Sequence, residues 1–388
     1  MKKQILRQFI LLLLTGHILI FPGNEIKAQS NQNVIPIIDK NKSYPETDFV
    51  PETEVKYIPL ETSKDVLLGR VAHIYYVSDS LILVTDWESG DVIFFDMNGR
   101  AVSYFNQKNG LGYNRISYAV YDEKNEEIFI LDEVLGKIIV FNKEGTLKRS
   151  YRVPKNLNLV RIDNFSNNLL LAWHEHIMGP LTPEQRNPYV LISKEDGSIV
   201  SKLNIYLEKA NPRYLMSGNI CYTLGNTAMG NYKFGYEFYL NNMSLDTIFQ
   251  LSQNKILTPV FTQHPSVFSD SDLRAGVVTV TDEFIVFSIY IYDLEEEKKR
   301  SETGRTINGK DRTRFVMYDK SRNQFHKLEN WKFVAYDIDA PKNVSARFLQ
   351  PFDLINKLKL GVLKREKKEI ASKLKIDDNP VVEITKFK

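Results

Sequence analysis

Residues 81–105, LILVTDWESGDVIFFDMNGRAVSYF, lie without a gap over residues 127–151, EIFILDEVLGKIIVFNKEGTLKRSY, at a constant offset of 46. Ile82 falls on Ile128, Asp86 on Asp132, Gly90 on Gly136, Ile93 on Ile139, Phe95 on Phe141 and Gly99 on Gly145. A period of about 40 to 50 residues with several short strands per unit marks a β-propeller blade. In each copy the first run, Leu81–Thr85 or Glu127–Leu131, is almost continuously apolar, as a strand covered on both faces requires. It ends at Asp86 or Asp132, whose carboxylate can accept backbone N–H bonds and open a turn. Gly90 or Gly136 supplies backbone freedom in that turn, and a second strand follows at Val92–Phe95 or Ile138–Phe141. Asn98-Gly99 and Glu144-Gly145 then close a hairpin onto a third strand. Such a meander is stable only when stacked on its own copies.

Outward from the repeat, the grammar persists in weaker form. Leu169–Trp173 reads as a strand, and Tyr189–Ser193, Glu195-Asp196-Gly197 and Ser198–Leu203 read as strand, turn and strand. Between them sits an insertion, His174–Pro188, carrying Pro180, Pro183 and Pro188 where the first two units have a short turn. Extra length on one rim is where such rings place function, so this is the leading candidate for a ligand-facing loop. A fourth unit is read from Gly218 through Leu251, a fifth from Glu283 to Leu328 with a charged loop at 295–311, and a sixth from Trp331 to the C-terminal strand. The expected fold is an all-β, six-bladed β-propeller over residues 55–388, closed by pairing of Val55–Glu61 with Pro380–Phe387 so that no free edges remain there. One C-terminal surface helix is expected within 353–376, where Leu354, Leu358, Leu363, Ile370 and Leu374 recur at near-helical spacing, with a break at Gly361.

At the N-terminus, Lys2, Lys3 and Arg7 precede an apolar run from Phe9 to Phe21, too short to span a membrane and shaped like a secretory signal. Residues 1–28 are expected to be that signal, cut after Ala28, and residues 29–54 a polar leader lying on the surface. With no cysteine near the cut, a lipid anchor on an N-terminal Cys has no carrier. The product is expected to be exported to the periplasm or cell surface as a monomer with no membrane span. A formal charge of +3 over 388 residues argues against a nucleic-acid partner, which calls for a concentrated basic face. Cys221 is the only cysteine, so no intrachain disulfide forms and the core must carry stability.

The runs VKYIPLETS (55–63), DTIFQLSQNKILTPVF (246–261) and DDNPVVEITKFK (377–388), with the strand-Asp-turn-strand-Gly units, resemble the six-bladed β-propeller family abundant in Bacteroidetes, TolB-like or NHL-like in fold. The resemblance implies an exported or lipid-anchored propeller, in a family mostly of unassigned function and without a general catalytic motif. In that family the loop at 107–113 often reads Gly-x-Gly-Pro-x-Glu-Tyr. This chain keeps Gly110, Gly112 and Tyr113 and lacks the Pro and Glu. A left-handed turn is the expected reason for the two glycines.

Candidate chemistry is sparse. His174 and His176, two apart on a strand, point to one side and could share a Zn or Cu ion; a pair of ordinary hydrogen-bonded histidines is the plainer reading. Asp86 and Asp132 could be paired carboxylates for glycoside hydrolysis, but recurrence at one blade position favours turn capping. Trp87 and Trp173 end predicted strands at the rim, where they would stack on a sugar or grip a peptide, or else fill gaps between blades. The expected function is therefore a secreted, non-catalytic binding or interaction module, with a carbohydrate or peptide/protein ligand at the mouth, candidate contacts Trp87, Trp173, His174 and His176, and no cofactor. The competing expectation is a metal-assisted or acid/base hydrolase or lyase acting in the central channel.

Overall fold

A computed structural model of the protein describes residues 35–388 apart from 70, 109, 111, 155–156, 175–180, 211–213, 218–219, 224–230, 270–272, 292–312 and 334–337, with the backbone alone at 214–217, 220–223 and 291. The signal segment, His176 and the charged loop at 295–311 lie outside the described residues. Six sheets form the blades of a ring. Blade 1 takes residues 72–106, blade 2 takes 118–152 and blade 3 takes 159–202, each four strands in sequence order. Blade 4 uses 232–264, blade 5 uses 273–328, and blade 6 combines Val344–Leu349 and Val381–Phe387 with the N-terminal strand Thr53–Pro59. A separate hairpin, Tyr214–Ser217 with Ile220–Thr223, falls between blades 3 and 4 in the sequence. The fourth unit thus begins later than the sequence suggests, at Tyr232 rather than near residue 218.

Packing shows why the repeat needs its neighbours. Side chains alternate along a strand, so one strand feeds two interfaces. In blade 2, Ile128 and Ile130 join Leu83 and Phe94 of blade 1, whereas Phe129 and Leu131 join Leu170 and Val190 of blade 3. Further apolar clusters lie between blades 3 and 4, 4 and 5, 5 and 6, and 6 and 1, so every consecutive pair in the ring shares a core. Phe129 is fully buried, and truncating such a residue to Ala costs about 3–5 kcal/mol.

The ring closes where the sequence places the seam. Thr53–Pro59 pairs antiparallel with Val381–Phe387, from Thr53↔Phe387 to Pro59↔Val381. Gly99, in the turn before the last strand of blade 1, meets this seam. Its φ is +82°, and a Cβ there would sit 2.0 Å from the Pro59 carbonyl oxygen. Glu61 N–H donates to the Gly99 carbonyl at 2.7 Å.

The expected single helix is a pair, α1 (Pro351–Lys359) and α2 (Arg365–Lys373), broken at Gly361 with φ +71°. Leu354, Leu358, Ile370 and Leu374 pack with Tyr57, Leu349 and Val381, and Lys367 lies 4.8 Å from the Tyr57 ring. The pair thereby covers the seam. Among the described residues, no helix is long and apolar enough to cross a membrane.

The surface leader is corrected. Ile37–Asp39 adds a parallel strand to Leu257–His264 at the outer edge of blade 4, and Ile38 and Lys40 are fully buried. Glu46 then bridges Lys327 on the outer strand of blade 5, before the chain reaches blade 6. A tract that is polar on average carries Ile38 and Tyr44, both buried in the core between blades 4 and 5, and those two apolar residues dock it.

Candidate functional site

Because the strands of a meander alternate in direction, turns between second and third strands share one rim with the connections between blades. The Asp residues of the repeat stitch these together. Asp86 Oδ1 accepts the N–H groups of Glu88 and Ser89, and its Oδ2 accepts that of Gly69 at 2.9 Å. Asp132 Oδ1 accepts from Leu135 and its Oδ2 from Asn114 at 2.6 Å and Arg115 at 3.2 Å. Both are fully buried. They are caps, as recurrence implied. One glycine of the 107–113 loop has a further reason to be glycine. At Gly112 the cause is close approach, since a Cβ would lie 2.6 Å from the Gln107 carbonyl oxygen.

Blade 3 departs from this pattern at the same place. His174 ends its second strand where Asp86 and Asp132 end theirs. It is buried, and its Nε2–H donates to the carbonyl of Asn187 across the base of the insertion. The bond fixes the proton on Nε2 and leaves Nδ1 without a hydrogen-bond partner. Burial pushes the imidazole pKa down to about 4. Trp173 is 7% exposed and stacks on Tyr189 at 6.3 Å, so it packs against the strand that follows the insertion. Trp87 is 37% exposed on the same rim, with the Arg115 guanidinium 4.7 Å from its ring. The structure thus separates Trp87, on blade 1, from Trp173 and His174, on blade 3. Among the described residues, no group of three or more His, Cys, Asp or Glu could hold a metal ion.

The arrangement that sequence reading missed lies on the innermost strands. His73 meets Tyr75 edge-on at 6.2 Å and Tyr75 meets Tyr118 of blade 2 at 4.9 Å. The guanidinium of Arg161, from blade 3, lies 5.1 Å from the Tyr118 ring and grips Asp163 through Nε and Nη2. Lys233 of blade 4 forms an ion pair with Asp339 at 2.5 Å. Asp339 in turn lies against the innermost strand of blade 1: its N–H donates to Tyr75 and its carbonyl accepts from Val77, both at 2.9 Å. Blades 1 and 4 are opposite in a ring of six, so the Lys233–Asp339 pair spans its centre. Burial raises the Asp339 pKa, opposed by Lys233, and Asp163 and Arg161 act on it with opposite signs. His73 and Tyr118 come early in their strands and Asp163 late. An aromatic and guanidinium wall therefore descends from the rim of Trp87 to a floor of paired charges.

Polar residues two apart in a first strand, as in Leu159-Val160-Arg161-Ile162-Asp163, were the available signal, yet they read as ordinary surface alternation. The opposite rim holds a concavity of about 470 Å³ beside Phe49, Glu283 and Phe284, with none of Trp87, Trp173 and His174 in its lining. It lacks the convergence of several blades that marks the channel.

In comparisons with known structures, a protein from Bacteroides fragilis, provisionally described as exported, superposes with a TM-score of 0.62 at 15% identity, covering 91% of this chain and 99% of its own. A DUF4221 family member from Bacteroides vulgatus gives 0.47 at 10% identity over 89% and 99%. A virginiamycin B lyase from Staphylococcus aureus gives 0.40 at 10% over 86% and 99%. At such identities the first speaks for the fold alone. No curated protein matches the chain in sequence. A family model described as a domain of unknown function, DUF4934, matches residues 32–386.

Proposed function

The chain belongs to the DUF4934 family, and from that premise we propose that its ring is a secreted, non-catalytic binding module whose ligand enters the channel from the rim bearing Trp87. One observation carries this reading: Tyr75, Tyr118, Arg161, Asp163, Lys233 and Asp339 converge from blades 1 to 4 and the segment before blade 6. Buried ion pairs are costly to assemble and contribute little net stability, so a channel needed only for packing would be filled with apolar side chains. Aromatic faces next to fixed donors and acceptors are what a polar ligand site requires. Trp87 and Arg115 would extend that site onto the rim. Trp173 and His174 would shape it from beneath the insertion, with His176 on the insertion itself. Export to the periplasm or cell surface without an N-terminal lipid anchor, a monomeric state, and kinship with TolB-like and NHL-like propellers of Bacteroidetes belong to the same proposal.

A catalytic reading has one observation in its favour. Asp339 holds its proton more tightly than an ordinary carboxyl, which suits a general acid in a hydrolase or lyase. The two readings separate by experiment. The mature chain is screened against glycans and peptides with and without chelator, and bound ligands are recovered and weighed. Intact ligand with chelator-independent retention supports the module, cleaved ligand supports the enzyme, and no retention of any ligand overturns both.

A further inference from the structure

Resting on that reading of the channel, we infer that its ligand is an uncharged carbohydrate. The floor contains two cations and two anions, and each is already matched: Arg161 with Asp163 at 2.8 Å and Lys233 with Asp339 at 2.5 Å. The neighbouring charge at the lower end is matched as well, since Lys194 Nζ donates to Asp122 at 2.5 Å and to Asn164 at 2.7 Å. Glu123 accepts from the Tyr76 hydroxyl at 2.8 Å. The exposed ends of this network are Asp339 and Lys233, with side chains 20% and 10% accessible, against 4% and 6% for Arg161 and Asp163.

A ligand carrying net charge would have to draw one partner away from a buried pair and leave the other uncompensated, which is strongly unfavourable. A hydroxyl makes no such demand. It donates to a carboxylate while accepting from an ammonium or guanidinium, so neighbouring hydroxyls can bridge Asp339 and Lys233 with both charges still paired. The Tyr75 and Tyr118 rings, set edge to face at 82°, add apolar area for the C–H face of a sugar. A peptide offers fewer groups that donate and accept at one atom, and its charged side chains meet the penalty just described.

The test uses the full mature chain on a glycan array of neutral, uronate-bearing and sulfated glycans beside a peptide array. The neutral glycan with the strongest signal is then titrated calorimetrically against an oligogalacturonate of equal length. The expected result is retention confined to neutral glycans, with an affinity that changes less than about twofold between about 50 and 500 mM salt. Asp339→Asn, which leaves the Lys233 charge unmatched, should weaken the neutral ligand and gain about tenfold or more for oligogalacturonate. Adding Lys233→Met to that variant removes the excess charge and should abolish the gain, and circular dichroism verifies that each variant is folded. Preference for uronates or sulfated glycans by the unaltered protein, or a steep salt dependence, overturns the inference and leaves the binding module standing. Retention of peptides alone does the same. Silence on both arrays removes the module reading along with it.

Discussion

Blades 4 to 6 have their outer edges covered by the chain's own N-terminal segment, whereas among the described residues no strand covers those of blades 1 to 3. Ile37–Asp39 pairs with blade 4, Glu46 bridges blade 5 and Thr53–Pro59 completes blade 6. Among the described residues, no strand pairs with the outer edges of Ala101–Asn106, Leu147–Arg152 or Ile199–Lys202. Free edges invite pairing with other chains, and the two halves answer differently. The belted half hides its edges under a strap that buries Ile38 and Tyr44. Blade 2 instead places Lys148, Arg149 and Arg152 on its open edge, and charge there discourages a partner strand. Blade 1 has neither device, since its edge shows Val102 and Tyr104, 48% and 44% exposed, and no charged residue. The difference teaches that the strap does two jobs, sealing the ring at blade 6 and shielding edges at blades 4 and 5.

Truncations separate those jobs. A chain beginning at Glu61 lacks the whole seam strand and the buried Ile58, and should show no cooperative thermal transition by calorimetry; a sharp transition would mean that the seam is dispensable. A chain beginning at Pro51 keeps the seam and loses the burial of Ile38 and Tyr44. It should fold, with stability lower by about 3–6 kcal/mol in urea titration, and with faster hydrogen exchange confined to 257–264 and 324–328. Faster exchange in blades 1 and 2 would break the comparison.

Two titrating groups sharpen it. In the open half, His174 has a folded pKa of about 4 against an ordinary 6.5. The unfolded chain therefore binds the proton first as pH falls, and stability of about 3 kcal/mol present above pH 6.5 is lost progressively down to pH 4. His174→Gln should flatten that stretch of the stability curve, and an unchanged slope would remove His174 from the account. In the belted half, Lys40 is buried, its Nζ donating to Leu273, and desolvation with help from Arg274 brings its pKa down to about 8 from 10.5. The folded state sheds this proton first, so stability should rise as pH climbs from 8 towards 10.5. Lys40→Met should abolish that rise, measured as the difference from the unaltered protein so that tyrosine titration cancels. The smallest expected effect is at blade 1: Val102→Lys should shift stability by less than about 0.5 kcal/mol while lowering concentration-dependent association in light scattering.

Much of the fold was legible because blades 1 and 2 obey one local rule. Asp86 and Asp132 close the turn by capping it, Gly90 and Gly136 follow with φ of +88° and +59°, and both copies survive without a gap. The seam was legible because each end of the chain carries a strand-like run with no other partner. The strap strand at 37–39 was not, since three residues have no period of their own and their order comes from Thr262, Gln263 and His264 far along the sequence. Trp173 and His174 drew attention by residue type, and the structure buries both at the base of the insertion. The channel escaped notice for a deeper reason. Tyr75, Tyr118, Arg161, Lys233 and Asp339 gain their meaning from one another, and only the closed ring brings them together.

The seam also sets the order of assembly. The Lys388 ammonium meets Glu52 at 2.8 Å across 336 positions of sequence, about as non-local a contact as the chain permits. A nascent polypeptide can stack its early modules as they emerge, each needing only its predecessor. The last module must wait for Val381–Phe387, with Thr53–Pro59 held unpaired throughout that interval. Folding should accordingly be slow and end-gated, and any product cut short upstream of residue 381 remains an open spiral with an unmatched strand at its start.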